Sequence, residues 1–122
     1  MNMNHRVEVG KFGDNFACNY LLQQGYTIQH RNFRCRIGEI DIIAVKNNVL
    51  SFIEVKTRCS HKYGRPLLAV NLAKQKKIYR CAELYMQVKG IILNMPVLSF
   101  DVFEIIMEGT AVKEFHHYPH CF

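Results

Sequence analysis

Charged side chains interrupt two apolar segments of this chain at positions where a buried strand would normally carry none. Asp41 lies within the run Ile-Asp-Ile-Ile, and Glu54 and Lys56 lie within Phe-Ile-Glu-Val-Lys. Because side chains alternate along a strand, Glu54 and Lys56 share one face, as do Glu39 and Asp41 on the preceding strand. A buried carboxylate costs several kcal/mol unless it is paired, hydrogen-bonded or bound to a metal ion.

Two carboxylates that meet across a hairpin can bind a hard divalent cation, Mg²⁺ or Mn²⁺, through oxygen ligands. Asp41 and Glu54 are the candidate carboxylates, and the backbone carbonyl of Val55 could supply a third ligand. Lys56 could then position or deprotonate a water molecule, or neutralise charge on a phosphorane-like transition state. The alternative is a surface hairpin with an ordinary Glu–Lys pair and an Asp close to its turn.

Basic residues outnumber acidic ones and are clustered. The chain has 16 Lys and Arg residues against 10 Asp and Glu residues, for a net charge of +6. A surface of this kind attracts polyanions and makes their binding sensitive to salt, although such residues can also simply solvate exposed faces. The candidate nucleic-acid contacts are Arg34, Arg36, Arg58, Arg65, Lys74, Lys76, Lys77 and Arg80.

The length of 122 residues fits one domain over 1–122 with its own core. High apolar content at modest net charge argues against disorder, and no apolar run is long enough to span a membrane. The first residues lack the apolar segment of a signal peptide, so we expect a cytoplasmic protein. Five cysteines without a C-x-x-C pair favour reduced thiols over a disulfide framework or zinc ribbon.

The periodicity of apolar residues predicts the element order α-β-β-β-α-β-β. A helical stripe covers 10–24 and is followed by Gly25, which suits a left-handed helix stop. A second helix is expected from the N-cap Asn71 to about Lys89, closed by Gly90. The predicted strands cover 26–30, 37–45, 49–57, 96–106 and 111–115, with a basic loop at 58–66 and a mobile end at 116–122.

Several motifs together resemble a known family. The run 32–41 (Asn-Phe-Arg-Cys-Arg-Ile-Gly-Glu-Ile-Asp), followed by 52–58 (Phe-Ile-Glu-Val-Lys-Thr-Arg), is similar to the YraN-like family of small bacterial proteins. That family resembles archaeal Holliday-junction resolvases within the PD-(D/E)xK nuclease superfamily. The resemblance covers a core at about 10–106, and its further matches are Gly10-x-x-Gly13, Ala69-Val70 with Lys74-Gln75, and Phe100-Asp101-Val102.

The resemblance implies an α/β, restriction-endonuclease-like core, in which helices flank a mixed central β-sheet that carries a Mg²⁺-dependent phosphodiesterase site. Asp41, Glu54 and Lys56 would take the aspartate, glutamate and lysine positions of that site. Family members usually carry Glu in the first helix where this chain has Asp14, so a water-bridged metal contact is expected there. A solvated acid at the start of a helix is the alternative for Asp14.

Two further residues have two interpretations each. Glu39 could be an outer metal ligand or a partner of Arg36 or Arg58. Gln75 lies one turn before Tyr79, a spacing that resembles the accessory catalytic motif of RecB-like nucleases. Gln75 could equally be a buried glutamine that bonds to backbone, and a structural or supporting role is expected for Asp101.

Two functions follow from these expectations. The first is a metal-dependent endonuclease that hydrolyses DNA on branched, recombination or repair intermediates, without long sequence specificity because the chain has no insert to enter a groove. The second is a non-catalytic nucleic-acid-binding module on a nuclease scaffold. A third possibility is an assembly protein that uses its basic surface against an acidic partner, and the resemblance to resolvases implies a homodimer.

Overall fold

The computed structural model describes residues 3–59, 70–91 and 96–122, with side chains described from residue 8 onward. These ranges form two helices, each followed by strands, with three strands after the first helix and two after the second. They are α1 (Met3–Gln23), β1 (Thr27–Arg34), β2 (Glu39–Lys46), β3 (Val49–Arg58), α2 (Leu72–Lys89), β4 (Val97–Glu108) and β5 (Ala111–Tyr118). Most of the predicted basic loop, including Arg65, lies outside the described residues.

The five strands form one mixed sheet in the order β1-β2-β3-β4-β5. Neighbouring strands are antiparallel except for β3 and β4, which run parallel and are connected through α2. The expected α/β class with a mixed sheet and helices is confirmed. In the described part of the chain, neither helix has an apolar stretch that could cross a membrane.

Apolar side chains cover both faces of the sheet. Ile53 on β3 packs with Leu21 of α1, whereas the adjacent Phe52 packs with Ile78 and Tyr85 of α2. A strand buried on both faces reads as a nearly continuous apolar run, which is the pattern of β3. The charges on this strand therefore lie at the end of a central, covered element.

The helix ends are set by local sequence. Asn71 caps α2 because its side-chain oxygen accepts a hydrogen bond from the N–H of Lys74 at 2.9 Å. Gly90 ends α2 in the left-handed conformation, with φ of 66°. Helix α1 starts at Met3, well before residue 10, where the predicted apolar stripe begins. Its first residues are helical although they do not continue that stripe, so the periodicity of apolar residues does not detect them.

Strand β1 is longer than predicted. It continues past His30 to Arg34, with a left-handed residue, Asn32, at φ of 52°. Its polar side chains reflect its position at the edge of the sheet, where β2 is its only neighbour among the described strands. The alternation rule therefore does not detect the second half of this strand.

The C-terminal residues 116–122 are held by the sheet, which corrects the expectation of a mobile end. Strand β5 pairs with β4 as far as Tyr118. Beyond it, the N–H of Cys121 donates to the carbonyl of Phe100 at 2.7 Å, and the N–H of His120 donates to Ser99 Oγ at 3.0 Å. Local sequence patterns do not reveal these partners because they lie about twenty residues away.

Candidate active site

The hairpin of β2 and β3 opens at one end, and the candidate carboxylates lie at that opening. The backbone ladder between these strands ends at the pair Ile42 and Ile53. Beyond it, the N–H of Val55 donates to Asp41 Oδ2 at 2.8 Å, so a side chain takes the place of a backbone acceptor. The N–H and C=O of one strand residue point toward the same neighbouring strand, so the Val55 carbonyl also faces this opening.

Helix α1 crosses β3 closely beside the opening. A Cβ atom placed on Gly13 would overlap Thr57 Oγ1 and would lie 3.6 Å from the Cδ1 atom of Ile105. Glycine therefore allows an approach that a side chain would obstruct. The next residue, Asp14, is thereby positioned at the opening.

An open cleft of about 790 Å³ forms where α1, β2 and β3 meet. The candidate acids and two arginines are among the residues that line it. They are Asp14, Glu39, Asp41 and Glu54, with Arg34 and Arg58. The structure thus places the candidate carboxylates and Val55 around one solvent-accessible space.

Negative charge is concentrated in this cleft. Burial and then the charge of Glu54 raise the pKa of Asp41 to about 7, against the opposing hydrogen bond from Val55. Burial also raises the pKa of Asp14, partly offset by Arg31, with Glu54 and Glu39 adding repulsion. The cleft therefore favours a proton or a cation among its carboxylates.

Two lysines approach Glu54 from the side of the sheet that faces α2. Lys74 Nζ lies 2.5 Å from Glu54 Oε1, and Lys56 Nζ lies 3.6 Å from the same oxygen. Burial and then the charge of Lys74 lower the pKa of Lys56. Burial acts in the same direction on Lys74, but its hydrogen bond to Glu54 prevails and the pKa of Lys74 is raised. Lys56 is thus the lysine that releases its proton more readily.

The contact between Lys74 and Glu54 is absent from the expectations drawn from the sequence, which place Lys74 in nucleic-acid binding. Lys74 lies in the first turn of α2, three residues after the cap Asn71. A buried acid on β3 and a lysine at the start of the following helix were the available signal. The local sequence pattern does not specify the direction in which α2 leaves the sheet, so it does not predict this contact.

Gln75 does not line the cleft. Its side-chain Nε2 donates to the carbonyl of Val70 at 2.9 Å. This is the backbone-satisfied glutamine that the sequence left open as an alternative, and it holds the segment before α2 against the first turn. The amide of Gln75 is thus engaged by backbone, and the catalytic role of Gln75 stays a prediction.

The predicted basic surface divides into two regions. Arg34 and Arg58 line the cleft, and Arg34 pairs with Glu39 at 3.3 Å with both side chains largely exposed. Arg34 is thus a partner of Glu39 that the sequence did not suggest. Lys76, Lys77 and Arg80 lie exposed on α2, and Arg36 lies exposed in the turn after β1.

A second, buried acid lies outside the cleft. Asp101 on β4 is fully buried and accepts hydrogen bonds from the hydroxyl of Ser99 and from the N–H of His120. His117 Nε2 lies 2.7 Å from its other oxygen. These contacts tie the chain end to β4, which agrees with a structural role.

The carboxylates suit a magnesium ion bound largely through water. Among the residues that the structure describes, no three His, Cys, Asp or Glu side chains are grouped closely enough to hold a metal ion by themselves. Mg²⁺, however, commonly binds through one or two carboxylates and keeps several water ligands. Asp41 and Glu54 offer such oxygens, and a cation would offset the burial and the repulsion from Glu54 that raise the pKa of Asp41. The donor set therefore fits Mg²⁺ or Mn²⁺.

The fold and the cleft define a small α/β protein with a carboxylate-lined opening at one end of a central hairpin. A sequence model of the family described as "Uncharacterised protein family UPF0102" matches residues 13–105, which include Asp14, Glu39, Asp41 and Glu54. The chain belongs to the UPF0102 family. This confirms the YraN-like part of the resemblance.

Two relatives show how far the similarity extends. A UPF0102 protein of Clostridium botulinum (strain 657 / Type Ba4) is 49% identical over 100 residues, which cover 82% of this chain and 80% of the relative. A UPF0102 protein of Clostridium tetani (strain Massachusetts / E88) is 48% identical over 105 residues, which cover 86% of this chain and 84% of the relative.

Proposed function

We propose that this protein is a Mg²⁺-dependent endonuclease of the PD-(D/E)xK type that hydrolyses phosphodiester bonds in DNA. The observation that carries the proposal is the meeting of Asp41 and Glu54 in one open cleft, with Lys56 beside Glu54. Carboxylates cost free energy in such a place unless a cation or proton compensates them. A catalytic site that binds a metal ion would account for this cost.

Asp41 and Glu54 would hold the metal ion, with the carbonyl of Val55 as a further oxygen and Asp14 or Glu39 acting through water. A bound Mg²⁺ ion polarises the scissile phosphate and lowers the pKa of a coordinated water. The N–H of Val55 orients the Asp41 carboxylate toward the cleft. Lys74 contacts Glu54 at 2.5 Å and restrains its carboxylate in the same way, so both carboxylates are positioned before a substrate binds.

Lys56 would orient the attacking water or accept its proton. The lowered pKa of Lys56, caused by burial and then by the charge of Lys74, brings this amine closer to the range of a general base. The pairing of Lys74 with Glu54 leaves Lys56 as the more weakly held of the two amines, since its distance to Glu54 is 3.6 Å. We assign the role in water activation to Lys56 and the positioning role to Lys74.

The substrate we propose is DNA that is branched or lacks a long recognition sequence. Arg34 and Arg58 flank the carboxylates and would contact phosphates, which position a nucleic acid without reading its sequence. Lys76, Lys77 and Arg80 form a second basic surface on α2 that could contact another arm of the same substrate. A cytoplasmic location and a homodimer are part of the proposal, and sedimentation of the purified protein tests the dimer.

The test is cleavage of labelled duplex, single-stranded and four-way DNA with Mg²⁺, Mn²⁺ or EDTA. We expect cutting only with metal, and a loss of at least about a hundredfold in Asp41→Asn, Glu54→Gln and Lys56→Met. Glu83→Gln, an exposed acid on α2, is the matched control and should cut normally. Absence of metal-dependent cleavage on every substrate would reject the nuclease.

The second candidate is a nucleic-acid-binding module that does not cut. One observation favours it: Glu54 already has two cationic partners, Lys74 and Lys56, which would compete with a metal ion. This function predicts salt-dependent DNA binding that persists in Asp41→Asn and Lys56→Ala, with no cleavage under any metal. Titration calorimetry with Mg²⁺ separates the two, because only the nuclease requires binding that Asp41→Asn weakens.

A further inference from the structure

Two cysteines on different elements bring their sulfur atoms together on the face of the sheet that α2 covers. Cys35 lies in the turn between β1 and β2, and Cys81 lies in the middle of α2. Their Sγ atoms are 2.8 Å apart although the residues are 46 positions apart in sequence. Both are free thiols in this structure.

The surrounding backbone holds this pair in place. The N–H of Cys35 donates to the carbonyl of Gly38 at 2.9 Å, which closes the turn. A Cβ atom on Gly38 would lie 3.7 Å from Cys81 Sγ and 3.7 Å from the Cβ atom of Lys77, so the turn packs directly on α2. A disulfide bond of about 2.0 Å would require the sulfur atoms to approach by only about 0.8 Å.

We propose that Cys35 and Cys81 form a reversible dithiol–disulfide site that reacts with low-molecular-weight disulfides such as oxidised glutathione. The Cys35 thiolate attacks one sulfur of the oxidant, so that its S–S bond breaks and one glutathione thiolate leaves. Cys81 then loses its proton to solvent and attacks the Cys35 sulfur, which releases the second glutathione. The two protein thiols lose two electrons, and the oxidant is reduced to two glutathione molecules.

The two cysteines differ in a way that suits these steps. Cys35 is partly exposed, whereas Cys81 has no exposed surface. The hydrogen bond with Cys81 lowers the pKa of Cys35, and burial raises the pKa of Cys81 to about 12. The accessible thiol of lower pKa is the one that meets the oxidant, since the thiolate is the nucleophile. Cys81 resolves the mixed disulfide from inside the protein.

The disulfide would link the β1–β2 turn covalently to α2. It closes a long loop, and cross-links of this kind stabilise chiefly by restricting the unfolded chain. Arg34 and Glu39 stand on either side of the turn and line the cleft, while α2 carries Lys74. Oxidation would therefore fix two elements that border the candidate site, although the proposal does not depend on what that site does.

The experiment uses the full chain, reduced and then equilibrated with mixtures of reduced and oxidised glutathione. Free thiols are alkylated after denaturation, and intact mass and peptide mapping follow. We expect the number of alkylated thiols to fall from five to three, with one internal link between Cys35 and Cys81. The Tm should rise by more than about 5 °C on oxidation and return with dithiothreitol.

Two variants and a control sharpen the result. Cys35→Ser and Cys81→Ser should each abolish the internal link and the rise in Tm. Cys18→Ser, at a buried cysteine on the opposite face of the sheet, should retain both. If Cys81→Ser fails to fold, Cys35→Ser still decides, because its side chain is partly exposed. Five alkylated thiols at every mixture, a link between other cysteines, or a persistent glutathione adduct on Cys35 would overturn the proposal.

Discussion

The Asp41 carboxylate accepts the backbone N–H of Val55 at 2.8 Å, across the point where β2 and β3 cease to pair through their backbones. This one hydrogen bond has two consequences. It satisfies an N–H that would otherwise lack a partner at the end of the ladder, and it directs an acid into the cleft beside Glu54. Because the backbone ladder ends at this point, the N–H of Val55 is available to position the Asp41 carboxylate.

We expect Asp41→Asn to be more stable than the wild type at pH 8 in EDTA. The folded-state pKa of Asp41 is about 7, above its ordinary value of 3.8, because of burial and of Glu54. The folded wild type therefore binds a proton more tightly than the unfolded chain, and its stability falls as pH rises from about 4 to 7. The decrease amounts to up to about 4 kcal/mol.

Urea unfolding of both proteins at pH 5, 6, 7 and 8 measures this difference. Asn keeps an oxygen acceptor for the N–H of Val55 but has no charge, so the stability gap between Asp41→Asn and wild type should widen with pH. Glu83→Gln, at an exposed position on α2, should show no such trend. A gap that is constant across this range would contradict the assigned titration.

Lys74→Ala should lower the free energy of unfolding by about 1–3 kcal/mol. Glu54 is only 6% exposed, and this change removes its shortest hydrogen bond. Lys76→Ala, at an exposed position in the same helix, should change stability by less than about 0.5 kcal/mol. A double-mutant cycle with Glu54→Gln measures the coupling, and a coupling near zero would show that the pair adds nothing in solution.

Gly13→Ala and Gly10→Ala should differ although both glycines lie within α1. Alanine is a better helix former, so Gly10→Ala, whose new Cβ meets nothing within 4 Å, should gain about 0.5–1 kcal/mol. At Gly13 the Cβ would overlap Thr57 Oγ1, so we expect a net decrease in stability. Thermal melts compare the two, and Thr57→Ala should rescue Gly13→Ala. Equal gains at both positions would show that α1 does not approach β3 this closely.

Arg58→Ala should reduce the salt dependence of DNA binding. Removing one phosphate contact makes the slope of log K against log salt shallower by about 0.9, and Arg58 borders the carboxylates in the cleft. Lys89→Ala, in the last turn of α2, is the matched removal of one positive charge at a residue that does not line the cleft. Binding curves at four salt concentrations distinguish them. Identical slopes for wild type and Arg58→Ala would place the nucleic acid elsewhere.

Asp101→Ala should destabilise the protein by about 3 kcal/mol without affecting the cleft. The change leaves the buried hydroxyl of Ser99 and the N–H of His120 without their shared acceptor, and it removes the partner of the partly buried His117. Glu108→Gln, at the exposed end of the same strand, is the control. Chemical unfolding of Asp101→Ala should show a lower free energy of unfolding, whereas titration with Mg²⁺ should give the same affinity as the wild type.

The amino-acid sequence by itself determined the α/β class, the capped second helix and the central hairpin. These features depend on neighbours in the chain. Asn71 caps α2 by accepting the N–H of a residue three positions further on, and the apolar runs of β2 and β3 flank a short turn. The same local pattern marked Asp41 and Glu54, because an acid inside an apolar strand is visible without coordinates. Family membership also follows from sequence alone.

Only the tertiary structure decided which side chains touch across the fold. The pairing of Lys74 with Glu54, the amide of Gln75 on Val70, and the contact of Cys35 with Cys81 each depend on the direction in which α2 packs. The anchoring of the C-terminal residues likewise depends on the depth of Asp101 within β4. Sequence periodicity specifies which face of an element is buried, whereas the partner on that face is set by packing between elements distant in the chain.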